Sequence, residues 1–377
     1  MDRNTLGAIW LSSVPFLMPR YQYAMVGAFG SPGEAWEAAR CEPDAFRGIL
    51  PDSALRSLRG CLEPGRAEKI LEACERQGIR PLVKGCSAYP ARLAAIYDPP
   101  LVLYVRGGAD LSAQKMVAMV GTRRPTEYGR TAAYHLAGEL AMAGVTVVSG
   151  LAYGLDISAH RGCLDAGGAT VAVLGCGVDI VYPATHAAEA RRMLENGGGI
   201  VSEYAPGTGP QRAYFPARNR IISGLVDGVI VVEAPMKSGT MHTVRSAQDQ
   251  GREVLAVPGN INVPQGAGSN QLIGEGARPV FGAGDVLDQL GYGRVQPGRK
   301  RRAISLSDDT QQELALTDDE RLVYEYLARV GEGAPDDFAQ QLGLPMERMN
   351  SLLTILELRG ILKKLPGNRF MVNALIP

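Results

Sequence analysis

Between residues 115 and 290 the sequence repeats one pattern: a short run of β-branched and aliphatic residues, a glycine-rich turn, and a stretch with helical periodicity. Each apolar run is nearly continuous and is separated from the next by enough chain for a crossover helix. This pattern is typical of parallel strands buried on both faces. It predicts a doubly wound α/β sheet. The predicted strands are 116–120, 145–148, 170–174, 200–202, 229–232, 254–257 and 279–281.

The sequence on either side of this stretch has a different character. Residues 1–110 hold short apolar clusters broken by Gly and Pro, which predicts a small helical domain of the SAM or helix-hairpin-helix type. Residues 292–316 lose the strand pattern, carry the basic run 299–302 (RKRR), and predict a linker. The α/β domain is therefore expected to cover residues 111–291.

Residues 317–377 predict a winged helix at the C-terminal end. Thr317 and Glu320 have the spacing of a capping box, and two helical stretches with a β-hairpin around Gly367 and Asn368 follow. The second helix of the motif has a balanced charge and offers few side chains for a major groove, which argues against a transcription factor. A solvated hairpin or a protein-docking module remains the alternative to duplex binding.

The charge and cysteine content exclude several classes of protein. Lys and Arg number 39 and Asp and Glu also number 39, so nucleic-acid binding requires a local patch rather than a basic surface overall. The six cysteines form no CxxC or CxxH pair, which predicts reduced thiols in a cytoplasmic protein and no metal site. No apolar run approaches eighteen residues, so we expect neither secretion nor a membrane span.

The turns after the predicted strands are the expected place for a ligand, because open α/β sheets bind ligands at the carboxyl ends of their strands. Glycine lets backbone N–H groups approach an anion there, and a neighbouring arginine suits phosphate. The alternative is that the glycines serve only the sharp strand-to-helix turns. The turn residues are Gly121, Thr122, Arg123, Arg124, Ser149, Gly150, Gly175, Gly177, Lys237, Ser238, Gly239 and Thr240, with a fifth turn at 258–260.

A second candidate region is the basic and aromatic segment around residue 215. Arg212, Arg218 and Arg220 lie between Glu203 and Asp227 with no acidic residue among them. Phe215 and the tyrosine before it add flat faces on which a base stacks, so the segment indicates nucleic acid or nucleotide. The alternative is that the arginines pair with carboxylates elsewhere in the fold.

Catalytic and cofactor motifs are scarce. None of the four histidines belongs to a nucleophile elbow or an HExxH pair, and no GxxxxGK[ST] segment occurs. The run starting at Gly175 resembles a dinucleotide fingerprint but has Ile180 in place of the third glycine. Asp156 and His160 share a helix face, and capping with an i,i+4 contact is the preferred interpretation. We therefore predict no cofactor, no metal and no catalytic residue.

A series of motifs follows the predicted strands in a fixed order. They are 120–123 (VGTR), 149–156 (SGLAYGLD), 175–183 (GCGVDIVYP), 202–204 (SEY), 215–224 (FPARNRIISG), 238–240 (SGT), 257–259 (VPG) and 275–277 (EGA). In this order the chain resembles the DNA-processing protein DprA family, also called Smf. The resemblance covers about 170 residues and implies an extended Rossmann-like domain.

The resemblance implies a protein that binds single-stranded DNA during natural transformation and helps load the RecA recombinase on it. It implies binding without catalysis, action as a homodimer, and DNA contacts from Arg123 and the neighbouring basic loops. Many family members carry Lys after the Tyr-Pro of the third loop, where this chain has Ala184; His186 and Arg212 are the candidate replacements. The predicted DNA-binding set adds to the turn residues Tyr182, His186, Arg212, Phe215, Arg218, Asn219 and Arg220, and the predicted dimer and RecA region comprises Gln271, Leu272 and Ile273.

An enzymatic alternative exists on the same fold. Nucleotide phosphoribohydrolases of the LOG type resemble this chain in a Gly-Thr turn after a strand, normally within PGGxGT with a Glu three residues after the Thr. Here the turn ending at Thr240 lacks the Pro-Gly-Gly, and Thr243 stands at the carboxylate position. Without that carboxylate the chain lacks the usual acid/base residue of these enzymes. Release of adenine from AMP distinguishes a phosphoribohydrolase from a DNA-binding protein.

Overall fold

A computed structural model describes residues 2–293, 316–365 and 368–372. The chain forms two compact units, Met1–Val295 and Gln296–Pro377. Most of the predicted linker, its basic run and Gly367 at the hairpin lie outside the described residues. Among the described residues, none of the helices combines the length and apolarity that crossing a membrane requires.

The first unit is built on a nine-stranded sheet with the order β1-β2-β6-β5-β4-β3-β7-β8-β9. Strands β3 to β9 are parallel, which confirms the predicted doubly wound α/β fold. Six of the seven predicted strands agree to within one residue at each end, and the last ends two residues early. The strands are β1 Ile79–Val83, β2 Val102–Gly107, β3 Met116–Val120, β4 Thr146–Ser149, β5 Thr170–Val173, β6 Gly199–Ser202, β7 Gly228–Val231, β8 Glu253–Ala256 and β9 Arg278–Pro279.

Strands β1 and β2 correct the prediction that residues 1–110 are helical throughout. They pair with each other and extend the sheet by antiparallel pairing of β2 with β6. The run from Leu101 to Val105 is continuously buried, and Tyr104 in it donates to or accepts from Ser12 Oγ at 2.9 Å. The Gly and Pro residues around β1 and β2 favoured the prediction of short helices. The apolar run of β2 forms a strand because it pairs with the otherwise free edge of β6.

Helices cover both faces of the sheet. On one face α10, α11 and α12 bury Ile221, Val244 and Leu272 against the strands, and on the other α7, α8 and α13 pack on Met119 and Val147. The helices are α1 Arg3–Ser13, α2 Pro19–Phe29, α3 Pro32–Cys41, α4 Asp52–Arg59, α5 Arg66–Arg76, α6 Ala91–Ala94, α7 Glu127–Met142, α8 Leu155–Asp165, α9 Ala187–Glu195, α10 Tyr214–Gly224, α11 Thr240–Asp249, α12 Ala267–Gly274 and α13 Ala283–Gln289.

The second unit is a winged helix, as predicted. Thr317 caps α14, and Glu320 completes the capping box by accepting from the Thr317 N–H at 2.8 Å. A separate core forms around Phe338, Leu353 and Phe370. The elements are α14 Asp318–Val330, β10 Glu332–Gly333, α15 Pro335–Leu342, α16 Met346–Leu358, β11 Leu362–Leu365 and β12 Arg369–Val372, with sheet order β10-β12-β11.

Candidate nucleic-acid interface

A cleft of about 800 Å³ opens at the carboxyl ends of the parallel strands. It brings together the turn after β3, the loop after β5, and the N-terminal turns of α10 and α11. We call this site the cleft. Its wall comprises Val120, Gly121, Thr122, Arg123, Ala152, Asp156, Tyr182, Pro210, Arg212, Phe215, Pro216, Arg218, Asn219, Ile222, Ser238, Gly239, Thr240, His242 and Thr243.

The turn after β3 projects Arg123 into the cleft. A Cβ at Gly121 would lie 2.1 Å from Leu155 Cδ1 and 2.8 Å from Glu233 O, so only glycine fits this position. The Thr122 N–H donates to Glu233 O at 2.8 Å. Gly121 therefore serves the close packing of the turn, and the exposed Arg123 is the group available to a ligand.

Glu233 fixes the start of α7 beside this turn. Its buried carboxylate accepts from the Thr126 N–H at 2.9 Å and from Thr126 Oγ1 at 2.6 Å. Thr126 is the N-cap of α7 and also accepts from the Gly129 N–H at 3.1 Å. This network holds the backbone that carries Arg123 in one conformation, which favours binding because little ordering remains to be done.

Two aromatic rings line the cleft next to Arg123. The ring centroids of Tyr182 and Phe215 are 5.4 Å apart, and the Arg123 guanidinium carbon lies 5.8 Å from the Phe215 centroid. Tyr182 is 46% exposed and so leaves a ring face free for a base. Tyr214, the other ring in this segment, is instead buried and stacks on Tyr204 at 4.0 Å.

The N-terminus of α11 lies in the wall of the cleft, and its Met241 and His242 N–H groups donate to Ser238 O and Gly239 O, each at 3.2 Å. No side chain caps this helix. Ser238, in the turn before it, has a buried Oγ without a hydrogen-bond partner in the described residues. The N-terminus of α10 likewise has no side-chain cap. The N-terminal end of a helix dipole favours anions, so the cleft combines an arginine, flat rings and two helix N-termini.

Arg218, a member of the predicted DNA-binding set, lies in the wall of the cleft, but its head group is buried. Its Nη1 donates to Gly150 O at 2.8 Å and also to Val173 O. Burial lowers the pKa of Arg218 and raises the pKa of the neighbouring Asp156 carboxyl. A Cβ at Gly150 would lie 2.2 Å from the guanidinium, so glycine there makes room for the arginine. Arg218 therefore ties the ends of β4 and β5 together.

Arg220, also in the predicted DNA-binding set, is buried and is not part of the wall of the cleft. Its Nη2 lies 2.6 Å from Glu203 Oε2, and its Nε lies 3.0 Å from Asp98 Oδ2. Glu203 outweighs the cost of burial and raises the pKa of Arg220 above its usual range. The alternative considered for this segment, arginines paired with carboxylates, is the observed arrangement here.

The other predicted residues divide into three groups. Gly121, Thr122, Arg123, Tyr182, Arg212, Phe215, Asn219, Ser238, Gly239 and Thr240 line the cleft. Arg124 and Lys237 are exposed outside its wall, whereas Ser149, Gly150, Gly175, Gly177 and His186 are buried behind it. Ser149 Oγ donates to Met119 O at 2.6 Å, and His186 Nδ1 donates to Leu151 O at 2.9 Å. These two side chains hold loops in place, so His186 does not replace the missing family lysine.

Asp156 and His242 line the cleft although no binding role was predicted for them. Asp156 accepts from the Gly150 and Ala152 N–H groups at 3.1 and 3.3 Å. Both donors lie in the loop before α8, and the N-cap of this helix is Gly154, so Asp156 holds the loop and the predicted capping role is wrong. His160 does not contact Asp156 and instead bonds Thr170 Oγ1 at 2.8 Å. His242 is exposed in the first turn of α11. Its place directly after the glycine turn that ends at Thr240 is the sequence feature that could have predicted its position in the cleft.

His160 makes the stability of the fold depend on pH. Burial, with smaller contributions from His186 and Arg218, lowers its pKa from 6.5 to about 3. Between pH 6.5 and about 3, His160 is protonated in the unfolded chain and neutral in the folded chain. The free energy of unfolding therefore falls as the pH decreases below about 6.5, by up to about 1.4 kcal/mol per pH unit. Denaturant unfolding should show a flatter acid limb for His160→Leu, and an unchanged one for the exposed His135→Ala. A limb equally steep in His160→Leu would contradict this.

The predicted dimer and RecA region lies on α12 at the β9 edge. Gln271 is exposed and donates to Glu275 Oε1 at 2.6 Å. Leu272 is buried in the core under the sheet, and Ile273 is half-buried against the same core. Leu272 therefore serves packing, which leaves Gln271 as the accessible member of this region.

Comparison with known proteins adds direct evidence on the family. The family model for DNA recombination-mediator protein A matches residues 81–291, and that for the DprA winged helix domain matches residues 307–368. The chain belongs to the DprA family. It is 39% identical to protein Smf of Escherichia coli over 282 residues, 74% of each chain. It is 41% identical to the DNA processing protein DprA of Bacillus subtilis over 229 residues, 60% of this chain and 77% of that one.

Solved DprA structures share the fold. The X-ray structure of DprA from Streptococcus pneumoniae superposes with a TM-score of 0.62 at 30% identity and covers 77% of this chain and 98% of that one. A DprA structure from Helicobacter pylori, described as showing a single-stranded DNA binding mode, has a TM-score of 0.51 at 32% identity. The match covers 57% of this chain and 97% of that one. The order of motifs seen in the sequence thus identified the DprA family correctly.

Proposed function

We propose that this DprA-family chain binds single-stranded DNA in the cleft, with little sequence preference. The supporting observation is the grouping of Arg123, the Phe215 and Tyr182 rings, and the uncapped N-terminus of α11 within one open site. Phosphate finds cations and the positive end of a helix dipole there, and a base finds an exposed ring face. Arginine, backbone amides and rings contact features that every nucleotide shares, so the site favours single strands of any sequence.

Cations facing the cleft support this assignment over duplex binding. Arg123 and Arg212 are exposed in its wall, and Arg212 is the available replacement for the family lysine missing at Ala184. The unpaired bases of a single strand can stack on rings inside a concave site. The bases of a duplex are paired and stacked on each other, so they cannot reach these rings. In the winged helix, Arg348 and Arg369 form ion pairs with Asp319 and Glu332, which reduces the charge available to phosphate there.

Fluorescence anisotropy with labelled single strands and duplexes of matched mixed sequence tests the proposal. We expect the single strands to bind more tightly at every salt concentration, with log affinity falling linearly as log salt rises. Strands of different sequence should differ only modestly. Tighter binding to one defined duplex would contradict the proposal and assign recognition to the winged helix.

We propose no enzymatic role for the cleft. Thr243, at the carboxylate position of the phosphoribohydrolases, is buried in the wall and cannot act as an acid or base. Incubation with AMP should release no adenine. The opposite result would be release of adenine that persists in Thr243→Val and is lost in Asp156→Asn. That result would show that the function is hydrolysis and not binding.

We further propose that the chain works as a cytoplasmic homodimer that passes single strands to the RecA recombinase. The family description as a recombination mediator supports this role. The two-residue edge strand β9 and the exposed Gln271 beside it provide an accessible surface for assembly. Light scattering of the purified chain should give the mass of two chains, and the Gln271→Arg variant should give that of one.

A further inference from the structure

An aromatic side chain from the N-terminal helices lies next to the cleft. Phe16, in the loop between α1 and α2, is 59% exposed, and its ring centroid lies 6.0 Å from that of Tyr214. Tyr214 is the first residue of α10 and directly precedes Phe215, whose ring lines the cleft. Because consecutive Cα atoms are only about 3.8 Å apart, Phe16 contacts the residue next to a ring of the cleft.

The backbone at Phe16 has a conformation that disfavours a bulky residue. The Leu17 N–H donates to Val14 O at 3.3 Å and closes a turn with Pro15 in its second position and Phe16 in its third. Phe16 has a φ of 60°. Turns of this kind take Gly or Asn at the third position, and a phenylalanine there is strained.

The packing of Phe16 does not compensate for this strain. The flanking Val14 and Leu17 are buried in the core and anchor the loop, whereas the Phe16 ring remains largely in solvent. Glycine would form the same turn without strain and without exposing an apolar ring. A strained residue that adds little to the core is the kind of feature found at functional sites.

We propose that Phe16 is a second base-stacking platform, and that a single strand leaving the cleft continues over the N-terminal helices. This inference rests on the proposed function. Arg20, on the first turn of α2, is exposed and makes no ion pair within the described part of the chain. Its guanidinium carbon lies 4.6 Å from the Tyr21 ring centroid, and its Nη2 donates to the Tyr21 hydroxyl at 3.0 Å. Arg20 follows Phe16 by four residues and keeps its charge in solvent, so it supplies a cation for the phosphates of a strand whose base stacks on Phe16.

The variant Phe16→Gly separates this role from a structural one. With an oligothymidylate of about twenty nucleotides, we expect affinity to fall about tenfold, because stacking on one ring contributes about 1–3 kcal/mol per base. A strand of about six nucleotides, which occupies only the cleft, should bind as it does to the wild type. The melting temperature should stay equal or rise, because glycine relieves the strain.

Two controls complete the test. Phe16→Tyr should retain affinity for the long strand, and Phe281→Ala, which removes an exposed ring beyond β9 at the far edge of the sheet, should leave both affinities unchanged. If Phe16→Gly binds the long strand like the wild type, or lowers the melting temperature, the platform is refuted while binding in the cleft stands. If the wild type binds neither strand, the proposed function itself fails.

Discussion

Arg123→Ala should weaken the binding of single-stranded DNA at least about tenfold while leaving the fold intact. The head group is exposed in the cleft, so its removal leaves no buried partner unpaired. A hydrogen bond to a charged group contributes about 1.5–3 kcal/mol, and each 1.4 kcal/mol is about a factor of ten in Kd. Loss of one phosphate contact should also flatten the log-log salt slope by about 0.7.

Anisotropy titrations across salt measure both effects, with Arg76→Ala as the matched control. Arg76 is an exposed arginine on α5, outside the wall of the cleft. Its variant should keep wild-type affinity and slope. Equal losses in the two variants would show that binding follows overall charge and does not depend on the cleft.

Arg220→Ala should destabilise the fold by about 3–5 kcal/mol, a large part of the total stability of a typical domain. The side chains of Arg220 and Glu203 are only 10% and 11% exposed, so removing the arginine leaves the Glu203 carboxylate buried and unpaired. Asp98 is more exposed and stays hydrated. Chemical denaturation followed by circular dichroism measures the loss.

The double variant Arg220→Met with Glu203→Leu tests the cause. Replacing both charges with apolar groups removes the unpaired carboxylate, so most of the stability should return. Arg130→Ala, which breaks the exposed pair with Glu127, should change stability by less than about 1 kcal/mol. A loss in Arg220→Ala no larger than in Arg130→Ala would contradict the structural role.

Strands β3, β4 and β5 were predictable because each is a short apolar run, buried along most of its length and followed closely by a glycine-containing turn. The same logic located Arg123 and the turn before Thr240, since the carboxyl ends of parallel strands lie at one edge of the sheet. Strands β1 and β2 were not predictable in this way, because their place in the sheet depends on the distant edge of β6.

The exposure of the arginines on α10 could not be predicted from local sequence. Arg218 and Arg220 look equivalent in a basic segment, yet each is buried by groups remote in sequence. Gly150 and Val173 carbonyls surround Arg218, and Asp98 lies 122 residues from Arg220. Phe16 likewise gave no signal, because its contact with Tyr214 joins residues that are far apart in the sequence.

Photo-crosslinking tests the central claim most directly. A single strand carrying photoreactive thymidine analogues at every position is bound to the full chain and irradiated, and the linked residues are located by mass spectrometry. We expect crosslinks in peptides containing Tyr182 and Phe215, in the wall of the cleft, and their loss in Arg123→Ala. Crosslinks confined to residues 317–372 would contradict the account, because the strand would then lie on the winged helix.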